Sequence, residues 1–204
     1  MGYKIAKRLF DLILSLFAFI CLLPLILILY IAVRLSSPGP AIFKQTRAGL
    51  KAKPFTLYKF RTMTITADPF GASPKSAADS RITPIGRFLR EYSLDELPQL
   101  LNVIKGQMSL VGPRPLYIQQ ISEWSPDHKR RLDVKPGLTG LAQISGRGGL
   151  TIEDKLDLDI KYVDSASFRL DLKIIFATFG AVFGKAAIYE KNYSRTSQTR
   201  GQDK

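Results

Sequence analysis

Asp95 and Glu96 stand side by side in Ser93-Leu94-Asp95-Glu96, directly ahead of Leu97, Leu100, Leu101 and Ile104. That i, i+3, i+4, i+7 stripe predicts a helix opening at Ser93 and stopping at Gly106. Two roles fit the acidic pair. In the structural one, Ser93 and Glu96 form a capping box and Asp95 complements the helix dipole. In the chemical one, the free N–H groups of a helix start favour a phosphate, and the dipole keeps a nearby carboxylate ionised. An ionised carboxylate can attack phosphorus or hold Mg²⁺. Adjacent helical residues point about 100° apart, so the two cannot share one target atom. One nucleophile beside one metal-holding or proton-handling partner is the compatible division.

Arginines suited to phosphate lie close by. Arg90 falls one turn earlier, and Arg114 sits between Pro113 and Pro115, which pre-order its backbone. Taken singly, each reads equally as a solvated surface arginine. His128, the one histidine, lies in an Asp-His-Lys-Arg-Arg run and reads as a surface residue. A Ser/His/Asp triad could not be made without it, and no Gly-x-x-x-x-Gly-Lys phosphate loop occurs.

The elements that must position these residues begin with an apolar segment. Leu12 to Val33 is 22 residues without a charge, interrupted by Ser15, Pro24 and Tyr30. As a helix it runs about 33 Å, the thickness of a bilayer's hydrocarbon core. It is too long for the apolar region of a cleaved signal, and no small-x-small site follows it. Lys4, Lys7 and Arg8 flank one end and Arg34 the other, so flanking charge sets no polarity. Pro24 removes one backbone donor and clashes with the Ile20 carbonyl, which predicts a kink. The residues alone favour a straight span, since prolines are common in spanning helices, with a bent segment returning to the same face as the alternative.

Ser36 to Pro40 breaks the chain. Ala41 to Thr46 and Phe55 to Thr62 read as the strands of a basic hairpin around Gly49, carrying Lys44, Lys59 and Arg61 among others. Thr66 to Ile82 has no periodicity and reads as a lid or a disordered loop. Thr83-Pro84 is an N-cap with proline at the first helical position. A longer helix is predicted over Leu116 to Leu132, disturbed at Pro126, and an edge strand or extended piece over Leu141 to Ile144. Thr151 opens a helix through about Val163. Ser167 to Phe183 follows with a broad apolar face (Phe168, Leu172, Ile175, Phe176, Phe179, Val182, Phe183), suited to the core or to a membrane interface.

The chain's 204 residues suffice for one domain with a short appendage. Of the net charge of +13, residues beyond Arg34 carry +10. A water-facing domain that basic wants a polyanion, an anionic membrane surface or a phosphorylated small molecule. The basic residues are dispersed and no nucleic-acid-binding motif is present, so a membrane-tethered nucleic-acid binder ranks low and nucleic acid is not expected as a partner. A noncatalytic basic scaffold on anionic lipid is the remaining alternative. The lone Cys21 lies in the apolar run, which leaves no disulfide framework and no Cys/His zinc site.

Six segments in order now resemble one family: Lys7-Arg8-Leu9-Phe10-Asp11, Tyr58-Lys59-Phe60-Arg61-Thr62-Met63, Ser93 to Leu100, Ser109-Leu110-Val111-Gly112-Pro113-Arg114-Pro115, Lys135 to Gly140, and Asp171-Leu172-Lys173-Ile174. The chain resembles the bacterial sugar transferases known as small monotopic phosphoglycosyl transferases. The resemblance implies transfer of a phosphosugar from a UDP-sugar to polyprenol phosphate, with Mg²⁺, at the cytoplasmic face of the bacterial inner membrane. It implies Asp95 as the nucleophile that holds a covalent phosphosugar while UMP leaves. Glu96 assists in metal or proton handling, so that Asp95 and Glu96 are also the metal-site candidates. Arg90 and Arg114 stabilise phosphoryl charge, and Lys59, Arg61 and Arg147 match family motifs as substrate-binding candidates. The family's helix-break-helix hairpin reverses the straight-span preference.

The expected architecture is therefore α+β: a mostly helical cytosolic domain with a short β-hairpin, an N-terminal re-entrant membrane helix kinked at Pro24, and interfacial amphipathic helices. The expected divisions are 1–36 as membrane anchor, 37–184 as catalytic domain and 185–204 as a polar tail. Inner-membrane lipids are expected partners, and a second copy of the chain stays open as another.

Overall fold

The computed structural model of the chain describes residues 2–68, 70, 71 and 73–183. The expected polar tail, 185–204, lies outside the described residues. The architecture is α+β. Helix α1 (Gly2–Ser36) leads into a hairpin of β1 (Ile42–Ala48) and β2 (Pro54–Phe60), antiparallel with Lys44 opposite Tyr58 and Phe43 opposite Lys59. Helix α2 (Pro84–Glu91), a 3₁₀ segment (Leu94–Gln99), α3 (Leu100–Ile104) and β3 (Ser109–Val111) carry the motifs. After α4 (Pro126–Lys129), strand β4 (Gly137–Thr139) pairs in parallel with β3, and α5 (Leu141–Ser145), α6 (Ile152–Ser165) and α7 (Phe168–Phe183) close the chain.

Helix starts follow their caps. The Thr83 hydroxyl accepts from the Gly86 N–H at 3.0 Å with Pro84 at the first position, and Thr151 and Asp154 form a reciprocal capping box. In the C-terminal half, two stretches differ from expectation. The stretch 116–132 is a 3₁₀ turn (Ile118–Glu123), then α4, then another 3₁₀ turn (Arg130–Asp133). Pro126 starts α4 under a Ser125 cap, because proline lacks only an N–H that the first turn leaves unbonded anyway. Leu141 to Ile144 is helical, since at i and i+3 both side chains reach the main core, while the strand falls instead on Gly137–Thr139. The stretch 66–82 carries no regular element among its described residues.

Two apolar clusters organise the body. One gathers Phe55, Leu57, Leu100, Val103, Met108, Val111, Tyr162 and Ile174, and the other Leu29, Val33, Ala41, Phe60 and Leu89. Helix α1 feeds both, running through Pro24 as one continuous element. Near its N-terminus, the Tyr3 hydroxyl and Lys7 Nζ donate to buried Asp171 Oδ2 at 2.8 and 2.7 Å. Arg8 donates to the Val103 and Ile104 carbonyls at the end of α3, and Asp11 accepts from Ser109 Oγ at 2.7 Å and the Leu110 N–H at 3.1 Å. Near its C-terminus, Leu29 and Val33 are buried against Phe60 and Leu89. Both ends of the apolar helix are thus fixed to the same body.

The other face of α1 is apolar and exposed, with Ile5, Leu9, Ile13, Leu16, Ile20, Leu23, Leu27, Ile31 and Leu35 recurring every three or four residues. Phe168 at the start of α7 packs edge-on against Phe10, with ring centroids 5.0 Å apart, and Phe176 and Phe179 stay exposed further along α7. The side chains of Val182 and Phe183 lie outside the described residues. A continuous apolar surface of this kind fits association with a membrane.

Candidate active site

The acidic pair sits where α2 turns back into the 3₁₀ segment. Ser93 holds the left-handed conformation (φ 55°, ψ 20°) and its N–H bonds the Arg90 carbonyl at 3.1 Å, which ends α2 and reverses the chain. Its side chain caps nothing, so the expected capping box is absent and Glu96 is not engaged in it. The predicted single helix from Ser93 is a 3₁₀ segment joined to the short α3, with Gly106 (φ +76°) in the turn beyond. A side chain at a positive φ costs conformational energy, and here the cost falls two residues before Asp95.

Strand β2 brings up the first cation. Lys59 Nζ donates to Glu96 Oε1 at 2.8 Å and lies 3.8 Å from Asp95 Oδ2. What holds β2 there is Asn102, fully buried, whose side chain takes the place of a neighbouring strand. Its Oδ1 accepts from the Tyr58 N–H at 3.1 Å and its Nδ2 donates to the Thr56 carbonyl at 2.7 Å. In the sequence Asn102 shows only as one amide inside an apolar run.

The loop after β3 brings the second cation. Arg114 Nη2 donates to the same Glu96 Oε1 at 2.8 Å. Beneath it, Arg131 Nη2 donates to the Arg114 carbonyl at 2.6 Å while its Nε and Nη2 bond buried Asp159 Oδ2 at 3.0 and 2.6 Å. The loop can lie this close only because Gly112 and Gly137 lack side chains. A Cβ on Gly137 would stand 2.1 Å from the Gly112 nitrogen, and one on Gly112 would stand 2.4 Å from the Lys135 carbonyl oxygen. Arg131 reads in sequence as one more surface cation, and only its pairing with Asp159 marks it as a support.

Arg90 supplies the third cation. Its Nε donates to Thr62 Oγ1 at 2.9 Å, and its charge acts on Asp95. Of the substrate-binding candidates, Lys59, Arg90 and Arg114 thus converge on the pair. Arg61 does not. Its buried guanidinium donates to the Pro40 and Ser37 carbonyls at 2.7 and 2.9 Å and to Ser37 Oγ at 2.7 Å, so it clamps the chain leaving α1. The backbone of Arg147 lies in a 3₁₀ turn (Arg147–Gly149), and its side chain lies outside the described residues.

The two carboxylates differ sharply. Burial pushes the Asp95 carboxyl up and the Glu96 charge adds to that, against the pull of Lys59, Arg90 and Arg114. Burial also opposes ionisation of Glu96, yet Arg114 and Lys59 outweigh it and hold Glu96 well below the usual carboxylate range. Among the described residues, Asp95 accepts no hydrogen bond and makes one ion-pair contact, the long one to Lys59. The arrangement is one fixed, doubly bonded carboxylate beside one uncommitted carboxylate, ringed by three cations. Such a site can bind a phosphate ester and attack it.

Comparison with known proteins gives the class, a transferase. The family profile described as bacterial sugar transferase matches residues 2–185. The chain is 47% identical over 197 residues to "Uncharacterized sugar transferase EpsL" of Bacillus subtilis (strain 168), covering 97% of this chain and 96% of that protein. It is 43% identical to proteins named UDP-glucose:undecaprenyl-phosphate glucose-1-phosphate transferase from Caulobacter vibrioides, over 87% of this chain and 70% of that one, and from Klebsiella pneumoniae, over 89% and 41%. The chain therefore spans about two fifths of the Klebsiella protein's length. It belongs to the bacterial sugar transferase family, and it is an enzyme.

Proposed function

We propose that the chain transfers a phosphosugar from a UDP-sugar to polyprenol phosphate by way of Asp95, a reading in line with the names of its relatives. In the first step an Asp95 carboxylate oxygen attacks the sugar-bearing phosphorus. A P–O bond forms, the P–O bond to the uridine-bearing phosphate breaks, and UMP leaves with that electron pair. In the second step a phosphate oxygen of the polyprenol phosphate attacks the same phosphorus and the Asp95 carboxylate is released. The product is a sugar joined through a diphosphate to the lipid.

The observation that carries this is the division between Asp95 and Glu96. A nucleophile must keep an oxygen free, and Asp95 does, whereas Glu96 Oε1 is spent on Lys59 and Arg114. Three cations around two carboxylates leave a positive site for a diphosphate, and Arg114 and Arg90 face the charge that develops on the transferring group.

Magnesium fits this donor set. Asp95 and the Glu96 oxygen that takes neither bond are the oxygen donors on offer, and among the described residues no third His, Cys, Asp or Glu joins them into a cluster. Mg²⁺ commonly uses one or two carboxylates together with substrate phosphates. When bound it would neutralise diphosphate charge.

The membrane placement draws on the docking of α1. A crossing helix puts its two ends on opposite sides of the bilayer, while Lys7 and Asp11 at one end and Val33 at the other bind one body. Entry from one face, the cytoplasmic one, satisfies both ends and gives the exposed stripe its lipid. A site held at that surface reaches a soluble dianionic donor and a lipid-embedded acceptor together.

The test is purified protein with a panel of UDP-sugars, Mg²⁺ and undecaprenyl phosphate, with UMP assayed. Mg²⁺-dependent release with at least one sugar is expected, lost in Asp95→Asn. Release that survives Asp95→Asn overturns the assignment.

A further inference from the structure

Lys59 and Arg114 are fixed at the acidic pair by their bonds to Glu96, whereas among the described residues Arg90 bonds neither carboxylate. What fixes Arg90 lies behind it. Its Nε donates to Thr62 Oγ1 at 2.9 Å, and among the described residues its two Nη groups make no hydrogen bond or ion pair. A guanidinium held at Nε alone keeps the donors of both Nη groups for a ligand.

The hydroxyl that holds it is itself firmly placed. Thr62 is buried, two residues beyond the end of β2, and its carbonyl accepts from the Thr83 N–H at 3.0 Å. The Met63–Ile82 bridge and the bond from the Thr64 N–H to the Arg81 carbonyl at 2.9 Å tie down the residues that follow. A β-branched side chain is stiff at χ1, so a fixed backbone here fixes the hydroxyl.

Gly86 seats α2 on the same residue. A Cβ there would stand 2.1 Å from the Thr62 carbonyl oxygen and 2.7 Å from its Cα, so only glycine lets the helix lie flush against residue 62. Arg90 follows Gly86 by four residues on one face of α2 and reaches the Thr62 side chain from the next turn.

The nearest competitor for the guanidinium is occupied. Asp79 also feels the Arg90 charge, yet its Oδ1 and Oδ2 accept from Arg81 Nε and Nη2 at 3.0 and 2.7 Å.

We infer that Thr62 is a positioning residue of the transfer site, its hydroxyl holding the Arg90 guanidinium by Nε so that both Nη groups meet the diphosphate beside Asp95. This rests on the transfer proposed above for the identity of the anion. Without the hydroxyl the guanidinium turns on its side chain, with Asp79 as a rival to the site. A misplacement of about 1 Å at such a group can cost about 100-fold in rate.

Two measurements on the full-length protein in nanodiscs separate this inference from the reading on which it rests. Affinity for UDP with Mg²⁺, by titration calorimetry, reports the anion site without chemistry, and UMP release reports Asp95. Thr62→Val keeps the branched shape and loses the hydroxyl, while Thr62→Ser does the reverse. In Thr62→Val the Kd for UDP should rise, and kcat/KM for UMP release fall, roughly 10-fold, whereas in Thr62→Ser both should stay within about 2-fold. In an Arg90→Met background, where no Nε–H remains, Thr62→Val should add less than about 2-fold, as expected of two residues acting through one contact. Thr62→Ala, also without the hydroxyl, makes the same comparison if Thr62→Val does not fold. Unchanged UDP affinity without the hydroxyl, a loss of equal size in Thr62→Ser, or an undiminished loss in the Arg90→Met background overturns the assignment. Wild type that binds UDP but releases no UMP from any donor overturns the transfer reading instead, and the binding comparison still decides Thr62.

Discussion

Lys59 Nζ lies 2.8 Å from Glu96 Oε1 and 3.8 Å from Asp95 Oδ2, so one lysine bonds the first carboxylate while acting on the second only through its field. Asp95, the proposed nucleophile, accepts no hydrogen bond among the described residues. The relation gives a pH signature. Asp95 must be ionised to attack, and burial places its ionisation above the ordinary carboxylate range. Activity should therefore fall on acidification earlier than for an exposed aspartate. In Lys59→Met a cation that favours the charged form is gone, the Asp95 carboxyl rises further, and the acid limb of the kcat/KM profile should move to higher pH. A limb that stays in place, or moves lower, contradicts this coupling.

Arg114 shares Glu96 Oε1 with Lys59 but is the more exposed of the two, at 45% against 21%. Arg114→Lys keeps a charge and loses the planar fork, so kcat/KM for the UDP-sugar should drop about 10- to 100-fold, measured by UMP release. Thermal stability should change little, because exposed ion pairs contribute under about 1 kcal/mol.

The Arg131–Asp159 pair should behave in the opposite way. Both side chains are almost wholly buried, at 3% and 4% exposure. Replacing Arg131 with Met leaves Asp159 charged and unpartnered in the interior, a loss of about 3–5 kcal/mol on breaking such a pair. Denaturant unfolding in detergent should show it. Asp159→Asn with the arginine kept should cost less, since an amide oxygen still accepts.

Arg61 should separate binding from architecture. Its guanidinium is taken up by carbonyls at the exit of α1, so Arg61→Lys should lower the unfolding midpoint and leave the KM for the UDP-sugar within about 2-fold of wild type. A selective rise in that KM would return Arg61 to the substrate site.

Much of this was legible in the chain. Thr83-Pro84 and Thr151 announce their helices because capping is a local matter, and the hairpin follows from alternation around a turn. Asp95, Glu96, Lys59 and Arg114 stood in recognisable segments and Arg90 one turn ahead of the pair, and they converge in space. What escaped depends on distant partners. A short apolar piece such as Leu141–Ser145 has no period long enough to tell helix from strand, so the core against which Leu141 and Ile144 pack decides it. Arg61 and Arg131 look like any surface cation until the carbonyls and the carboxylate they meet are known. Asn102 is a buried amide whose partners are the Thr56 carbonyl and the Tyr58 N–H, more than 40 residues away.

The most direct measurement is intact-protein and peptide mass spectrometry of enzyme quenched in acid after mixing with Mg²⁺ and a turned-over UDP-sugar in the absence of lipid acceptor. A mass increase of one phosphosugar on the peptide containing Asp95, absent in Asp95→Asn and discharged by added undecaprenyl phosphate, is the expected result. Product formation in full with no adduct at that side chain, or an adduct on another residue, would contradict the account.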